Sequence, residues 1–191
     1  MPKPLLFVGS STAAKSQAKA VLAALRGADV DFLPWWEAFT PGRTLLEELD
    51  GLRSKVQGAL LLFSPEVDSI IRGKTVQAPN LNVLFEFGYF YGHFAKDRVA
   101  MLKYGDFYMP SDLGGYIHLF GSKSFRRSAA IKVAKRTRTD FDRWLAGFPS
   151  TELAPTVQPT GANRTRSGVA APVLPFSALP PTHPVRTRRG W

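Results

Sequence analysis

One carboxylate stands alone in an aromatic stretch. The segment "NVLFEFGYFYGHF", residues 82–94, surrounds Glu86 with four phenylalanines and two tyrosines. An ionised carboxylate buried without a partner costs several kcal/mol, or it neutralises through a raised pKa. An acid kept in such company is a candidate for chemistry that needs one fixed negative charge. The bland alternative is a solvent-facing slot, or an ion pair with Arg72 or Lys74. If the segment is a helix, Glu86 neighbours Asn82 and Val83 on one side and Tyr89 and Phe90 on the other. Asn82 is the predicted N-cap, and the nearly uniform apolar perimeter predicts burial all round. Gly88 and Gly92, four apart, predict close approach by another backbone. Other chemistries find little support. There is no cysteine for a disulfide or thiolate site, and His93, His118 and His183 share no ligand spacing. No cofactor or metal centre is expected.

The elements that must position Glu86 follow from periodicity. "LLFVG" (5–9), "DVDFLPW" (29–35), "ALLLF" (59–63), "VAMLK" (99–103) and "YIHLF" (116–120) are short apolar runs with strand character. Between them lie helical patterns at 12–26 and 44–52, the aromatic segment, and a closing helix at 129–147. Thr44 with Glu47 three residues on is a capping box. Strands alternating with helices imply parallel pairing through right-handed crossovers. Five continuously apolar strands imply an α/β fold with a parallel sheet covered on both faces. Ligands of such sheets sit beyond the carboxyl ends of the strands. Those ends here are Ser10-Ser11, Trp35-Trp36, Ser64-Pro65-Glu66 and Tyr104-Gly105-Asp106. Trp35, Trp36 and Phe39 are candidates to stack on a planar ligand, or are ordinary core residues. Gly9 and Gly42 either admit close approach of a substrate or make simple turns.

Length and charge bound the rest. The chain has 191 residues, 45% of them hydrophobic, and a formal charge of +10. Residues 1–122 carry 12 basic and 12 acidic side chains, residues 123–150 net +6, and residues 151–191 net +4. The excess thus belongs to the C-terminal third. Residues 149–191, with seven prolines among the last 41 positions, read as a basic disordered tail or linker beyond a domain at 1–148. No apolar run approaches the roughly 18 residues of a membrane span, and no signal-type cleavage site follows the first apolar run. A cytoplasmic protein without membrane contact is expected. Lys123, Arg126, Arg127, Lys132, Lys135, Arg136 and Arg138 are dense enough to hold phosphates. The same stretch places Phe125, Ile131, Phe141 and Trp144 inward, so a solvated face of a covering helix is favoured over nucleic-acid binding.

The ordered set "LFVGSS", "W...FTPGRTLLEEL", "LLLFSPEVDSI", "APNLNVLFEFGYF" and "MPSDLGGYIHL" resembles bacterial TIR-like domains of the predicted nucleotide-binding type, effectors of anti-phage systems of the CBASS and Pycsar type. The similarity spans about residues 4–122. It implies a flavodoxin-like three-layer TIR fold and an NAD⁺ glycohydrolase whose catalytic acid falls on Glu86. It also implies self-association through the segment "WWEAFTPGRT" (35–44), into a homo-oligomer or filament, and a cyclic-nucleotide sensor that is separate or missing. The chain departs from the family pattern at Asn80 and Leu81, where an Arg and a polar residue are common. Arg43, Arg72 or Lys74 are candidates to replace that basic contact.

One carboxylate suffices for this reaction on chemical grounds. Ordinary glycosides need a second carboxyl to protonate the departing oxygen. Nicotinamide is cationic in NAD⁺ and leaves neutral, so no general acid is needed. A fixed carboxylate near the ribose can orient the sugar and stabilise an oxocarbenium-like transition state, more strongly in a dry surround. Asn82 and the Ser10-Ser11 turn would add polar contacts, with Ser64 beside them on the rim. Two other readings stay open: a nucleoside deoxyribosyltransferase-like enzyme with Glu86 as nucleophile, and a non-catalytic nucleotide-binding or interaction module.

Overall fold

The computed structural model describes residues 3–40, 42–113, 116, 118–122 and 133–148. The chain runs β1 (Leu5–Gly9), α1 (Lys15–Ala24), β2 (Asp31–Pro34), α2 (Trp35–Ala38), α3 (Leu45–Arg53), β3 (Gly58–Phe63), β4 (Pro65–Ile71), β5 (Lys74–Pro79), α4 (Leu81–His93), β6 (Val99–Tyr104), β7 (His118–Ser122) and α5 (Lys135–Leu145). Five strands form a parallel sheet in the order β2-β1-β3-β6-β7. Helices cover both faces, so the expected flavodoxin-like α/β architecture is present. The two faces have separate cores. Leu6, Val8, Leu60, Leu62 and Leu102 pack against α1 and α5, whereas Phe7, Leu61, Phe63 and Met101 pack against α3 and α4. Alternating residues of the same strands supply the two sets, as the pleat requires. Among the described residues no helix is long and apolar enough to cross a membrane.

Strand order reverses between β1 and β3, because β1 has β2 on one side and β3 on the other. The crevice beyond the carboxyl ends at such a reversal is where ligands of open α/β sheets bind.

Local boundaries shift for identifiable reasons. The strand expected at 29–35 covers only Asp31–Pro34; Pro34 is extended (φ −73°, ψ 148°) and serves as the N-cap of α2, so Trp35 starts a helical turn. The capping box of α3 forms as expected: Glu47 N–H donates to Thr44 Oγ1 at 3.3 Å, and Thr44 N–H to Glu47 Oε2 at 2.7 Å. The last strand lies two residues further on than expected, and the closing helix begins at Lys135, with 129–132 outside the described residues. Phe141 and Trp144 do point inward. Arg136, Arg138 and Arg143 pair with Asp140 or Asp142 of the same helix. Lys123, Phe125, Arg126, Arg127, Ile131 and Lys132 also lie outside the described residues, as does the expected tail from Pro149.

The antiparallel hairpin β4–β5 was not expected. Its strands join through a two-residue loop, Arg72-Gly73, between the paired Ile71 and Lys74. Both loop residues have positive φ, 52° and 76°, the conformation that matches the right-handed twist of a hairpin. Gly73 adopts it freely, whereas Arg72 carries a steric cost that Asn tolerates better. Arg72→Asn should therefore raise stability by roughly 0.5–1 kcal/mol. Urea denaturation of the two proteins side by side measures this, with unchanged slope and a higher midpoint expected.

Candidate functional site

The buried stripe of α4 is Val83, Glu86, Phe87 and Phe90, the spacing of a single helix face. The helix is therefore not buried all round: Leu81 and Phe85 are 66% and 48% exposed. Among the described residues nothing lies close to Gly88 or Gly92, so no described backbone packs against them. Glu86 occupies the sheet-facing stripe and is 6% exposed. Its Oε2 has no hydrogen-bond partner among the described residues. Arg72 and Lys74 are exposed at the hairpin turn and do not pair with it. Burial pushes the Glu86 carboxyl up from about 4.5 to about 7.

What Glu86 meets instead is the end of β1. A Cβ placed on Gly9 would lie 2.7 Å from Glu86 Oε2 and would also collide with Leu61. Gly9 pairs with Leu61 of β3. The absent side chain at Gly9 thus leaves the space that the carboxylate fills, at the point where strand order reverses. Phe7 and Phe90 close the hydrophobic surround, with ring centroids 4.9 Å apart.

The polar rim is built around a second acid, Glu66. Its carboxylate accepts from the Ser11 hydroxyl, from Ser64 Oγ at 2.7 Å, and from Asn80 Nδ2 at 3.3 Å. Ser11 Oγ also accepts from Ala14 N–H, at 3.1 Å, at the entry to α1. Ser10 Oγ accepts from the Trp35 indole N–H at 3.0 Å. Ser10, Ser11 and Ser64 are all buried, and they line the carboxyl ends of β1 and β3.

The other expected residues divide. Trp35 and Phe39 lie on the α4 side: Phe39 stacks on Phe7 at 6.0 Å, and Trp35 reaches Phe39 at 6.4 Å. Trp36 packs with the opposite core. Lys15 Nζ sits 5.3 and 5.2 Å from the two indole centroids, close enough for cation–π attraction. Arg43 pairs with Glu48 at 3.5 Å and is half exposed, so it supplies no charge to Glu86. Gly42 (φ 90°) faces open space and makes a turn. Asn82 does not cap α4. Asn80 does, its Oδ1 accepting from the N–H groups of Asn82 at 3.0 Å and Val83 at 3.4 Å, while Asn82 is exposed in the first turn.

Glu66 and Asn80 are the residues that sequence reasoning missed. A signal existed for each. Asn80 follows Pro79, a residue that cannot continue a strand ladder as donor. Glu66 stands three positions past a fully apolar strand, on the expected rim. Two cavities of about 560 and 650 Å³ lie elsewhere, one along β6 and β7 beside Lys103, Phe120 and Arg136, the other along β2 and α1 beside Lys19 and Trp36.

Residues 6–120 match the family described as CAP12/Pycsar effector protein, TIR domain. The chain is 27% identical over 158 residues to CD-NTase-associated protein 12 of Sphingobacterium faecium, covering 80% of this chain and 49% of that protein. It is 30% identical over 132 residues to CD-NTase-associated protein 12 of a Lachnospiraceae bacterium, covering 69% and 42%. The chain thus spans about half the length of these curated relatives. Among solved structures, a prokaryotic SEFIR domain aligns with a TM-score of 0.43 at 10% identity, over 77% of this chain and 95% of that one.

The buried acid has a consequence for stability whatever its chemistry. The folded state holds a proton on Glu86 up to about pH 7, whereas the unfolded chain releases it near 4.5. The folded state binds more protons in that window, so stability falls as pH rises through it and levels off above. The displacement corresponds to about 3 kcal/mol. Urea denaturation at pH 5 and pH 8 should show this component in the parent and lose it in Glu86→Gln.

Proposed function

The chain belongs to the CAP12/Pycsar effector TIR-domain family, and from that premise we propose that it is an NAD⁺ glycohydrolase with Glu86 as its catalytic carboxylate, serving as an anti-phage effector. The observation that carries the reading is a buried acid without a hydrogen-bond partner for Oε2, set against Gly9 where the strand order reverses. A structural carboxylate is ordinarily satisfied, and an orphaned one calls for an explanation.

The chemistry follows from the surround. The bond between ribose C1′ and nicotinamide N1 breaks, and its electron pair leaves with nicotinamide as a neutral ring. Positive charge develops on C1′ and the ring oxygen. The ionised Glu86 lies in a low-dielectric setting made by Phe7, Phe87 and Phe90, where it stabilises that charge more than it would in water. Water then attacks C1′ and releases a proton, giving ADP-ribose. The rim hydroxyls of Ser10 and Ser11 would face the ribose, and Trp35 and Phe39 the planar bases.

Two features support regulation by assembly. Glu86 is 6% exposed, so a sugar reaches it only after neighbouring side chains move. The segment 35–44 carries both Trp35, tied to Ser10, and Phe39, stacked on Phe7. Association through this segment would shift those contacts and open the acid. A cyclic nucleotide, sensed by another segment or partner, would be the trigger.

Three outcomes are expected. Glu86→Gln should lower nicotinamide release about 100-fold or more, measured by chromatography under activating conditions; release equal to the parent's removes Glu86 from the reaction. Ionised Glu86 is the active form, so kcat/KM should rise with pH through about 7. Bound cationic substrate favours the carboxylate, so the kcat profile should have its midpoint at lower pH. Specific activity should fall on dilution and recover on tethering, which turnover against protein concentration reads directly; activity proportional to concentration down to dilute monomer counts against assembly.

A further inference from the structure

Glu66 joins three pieces of the rim through its side chain, in addition to the strand pairings β1–β3 and β4–β5. Its Oε1 accepts from Ser64 at the end of β3 and from Ser11 beyond β1; its Oε2 accepts from Asn80, the N-cap of α4. The hairpin explains how one side chain reaches all three. Pro65 pairs with Pro79 and Val67 with Ala78, so the register shifts at Glu66 and leaves it as the extra residue of a bulge. Bulges re-aim a side chain out of the strand's alternation. Here the bulge lies at the foot of the hairpin, across from Ala78 and Pro79, and Pro79 directly precedes the cap of α4.

Asn80 transmits the placement. Its amide is engaged at both ends in one orientation, with Nδ2 donating to Glu66 and Oδ1 accepting from the N–H groups of Asn82 and Val83. Turning the amide over would oppose donor to donor and acceptor to acceptor. The helix therefore starts where Glu66 holds Asn80. Glu86 follows within two turns, roughly 9 Å along the axis.

We propose that Glu66 is a positioning residue that fixes the start of α4, and through it the seating of Glu86 against Gly9. Its kinetic consequence rests on the hydrolase reading above, whereas its structural consequence does not.

The competing view makes Asn80 an ordinary helix cap and Glu66 an incidental acceptor. The two views oppose each other at one substitution. Asp is as good a cap as Asn and its charge favours the helix N-terminus. An incidental acceptor thus predicts that Asn80→Asp is neutral or stabilising. A positioning Glu66 predicts harm, because two carboxylates would then face each other with no donor between them. Glu66→Gln alone is also harmful, since its amide nitrogen would face Asn80 Nδ2, or would face the donors of both Ser11 and Ser64 if it turned. Combining Glu66→Gln with Asn80→Asp reverses donor and acceptor and restores the pair, while Gln Oε1 still accepts from the serines.

The experiment is a double-mutant cycle on the full chain with two readouts: nicotinamide release under activating conditions, and the titration midpoint of the Glu86 carboxyl by carbon-13 NMR, assigned by loss of its signal in Glu86→Gln. Expected are a fall of about tenfold in release for each single variant, a displaced Glu86 midpoint at unchanged helix content, and recovery of both in the double variant. Single variants equal to the parent in both readouts overturn the proposal. So does a double variant as impaired as the singles, including one that fails to fold. If the parent itself releases no nicotinamide while the midpoint moves and recovers, the positioning role stands and the hydrolase reading falls alone.

Discussion

A carboxylate seated against a bare stretch of backbone is the constraint around which the domain is arranged. Glu86 has room because residue 9 lacks a side chain, and it has no other seat because α4 presents it on the same stripe as Val83, Phe87 and Phe90. Desolvation opposes its ionisation, and the packing of the surrounding rings supplies the stability that tolerates it. The core on that face is rich in interlocking aromatics: Phe7 on Phe90, Phe63 on Phe87, and Phe87 near Tyr91 and Tyr116. Such pairs contribute beyond their buried area. The opposite face is packed mainly with aliphatic residues against α1 and α5 and holds no buried carboxylate among the described residues. One side of the sheet thus secures the fold, while the other holds two buried acids: Glu48 on α3, paired with Arg43, and Glu86, which has no ion pair among the described residues.

Electrostatics agrees with this division. Residues 1–122 balance 12 basic against 12 acidic side chains, so a polyanion would find no net attraction to the sheet and its rim. On α5, Arg136, Arg138 and Arg143 each have an acid within reach on the same helix; exposed pairs of this kind add little stability, but they temper the local field.

Much of this was legible in the sequence. β1 was read to the residue, because an apolar run ending in Gly9-Ser10 leaves few alternatives. α3 was marked by Thr44 and Glu47, whose reciprocal bonds are local and need no tertiary context. Glu86 stood out through its neighbours alone. What stayed hidden depended on contacts distant in sequence or on conformation that composition does not encode. Asn82 is the cap the sequence suggests, but Asn80 takes the place, because Pro79 closes a strand before it and Glu66, fourteen residues back, holds its amide. The hairpin escaped because Arg72 is an unusual occupant of a left-handed position. Trp35 and Trp36 are adjacent yet fall to different cores, since the chain turns helical between a strand and a loop at that point.

The hairpin stands with its two feet in the rim and its tip in solvent. Arg72, Gly73 and Lys74 are exposed, as is Ile70 at 78%, while Pro65, Glu66, Pro79 and Asn80 do the joining. The rim bonds at the foot of the hairpin are made without the residues at its tip. The tip can lengthen, shorten, carry a graft or bear a fluorescent label, and the crevice below will register the change only if it reaches down to the bulge.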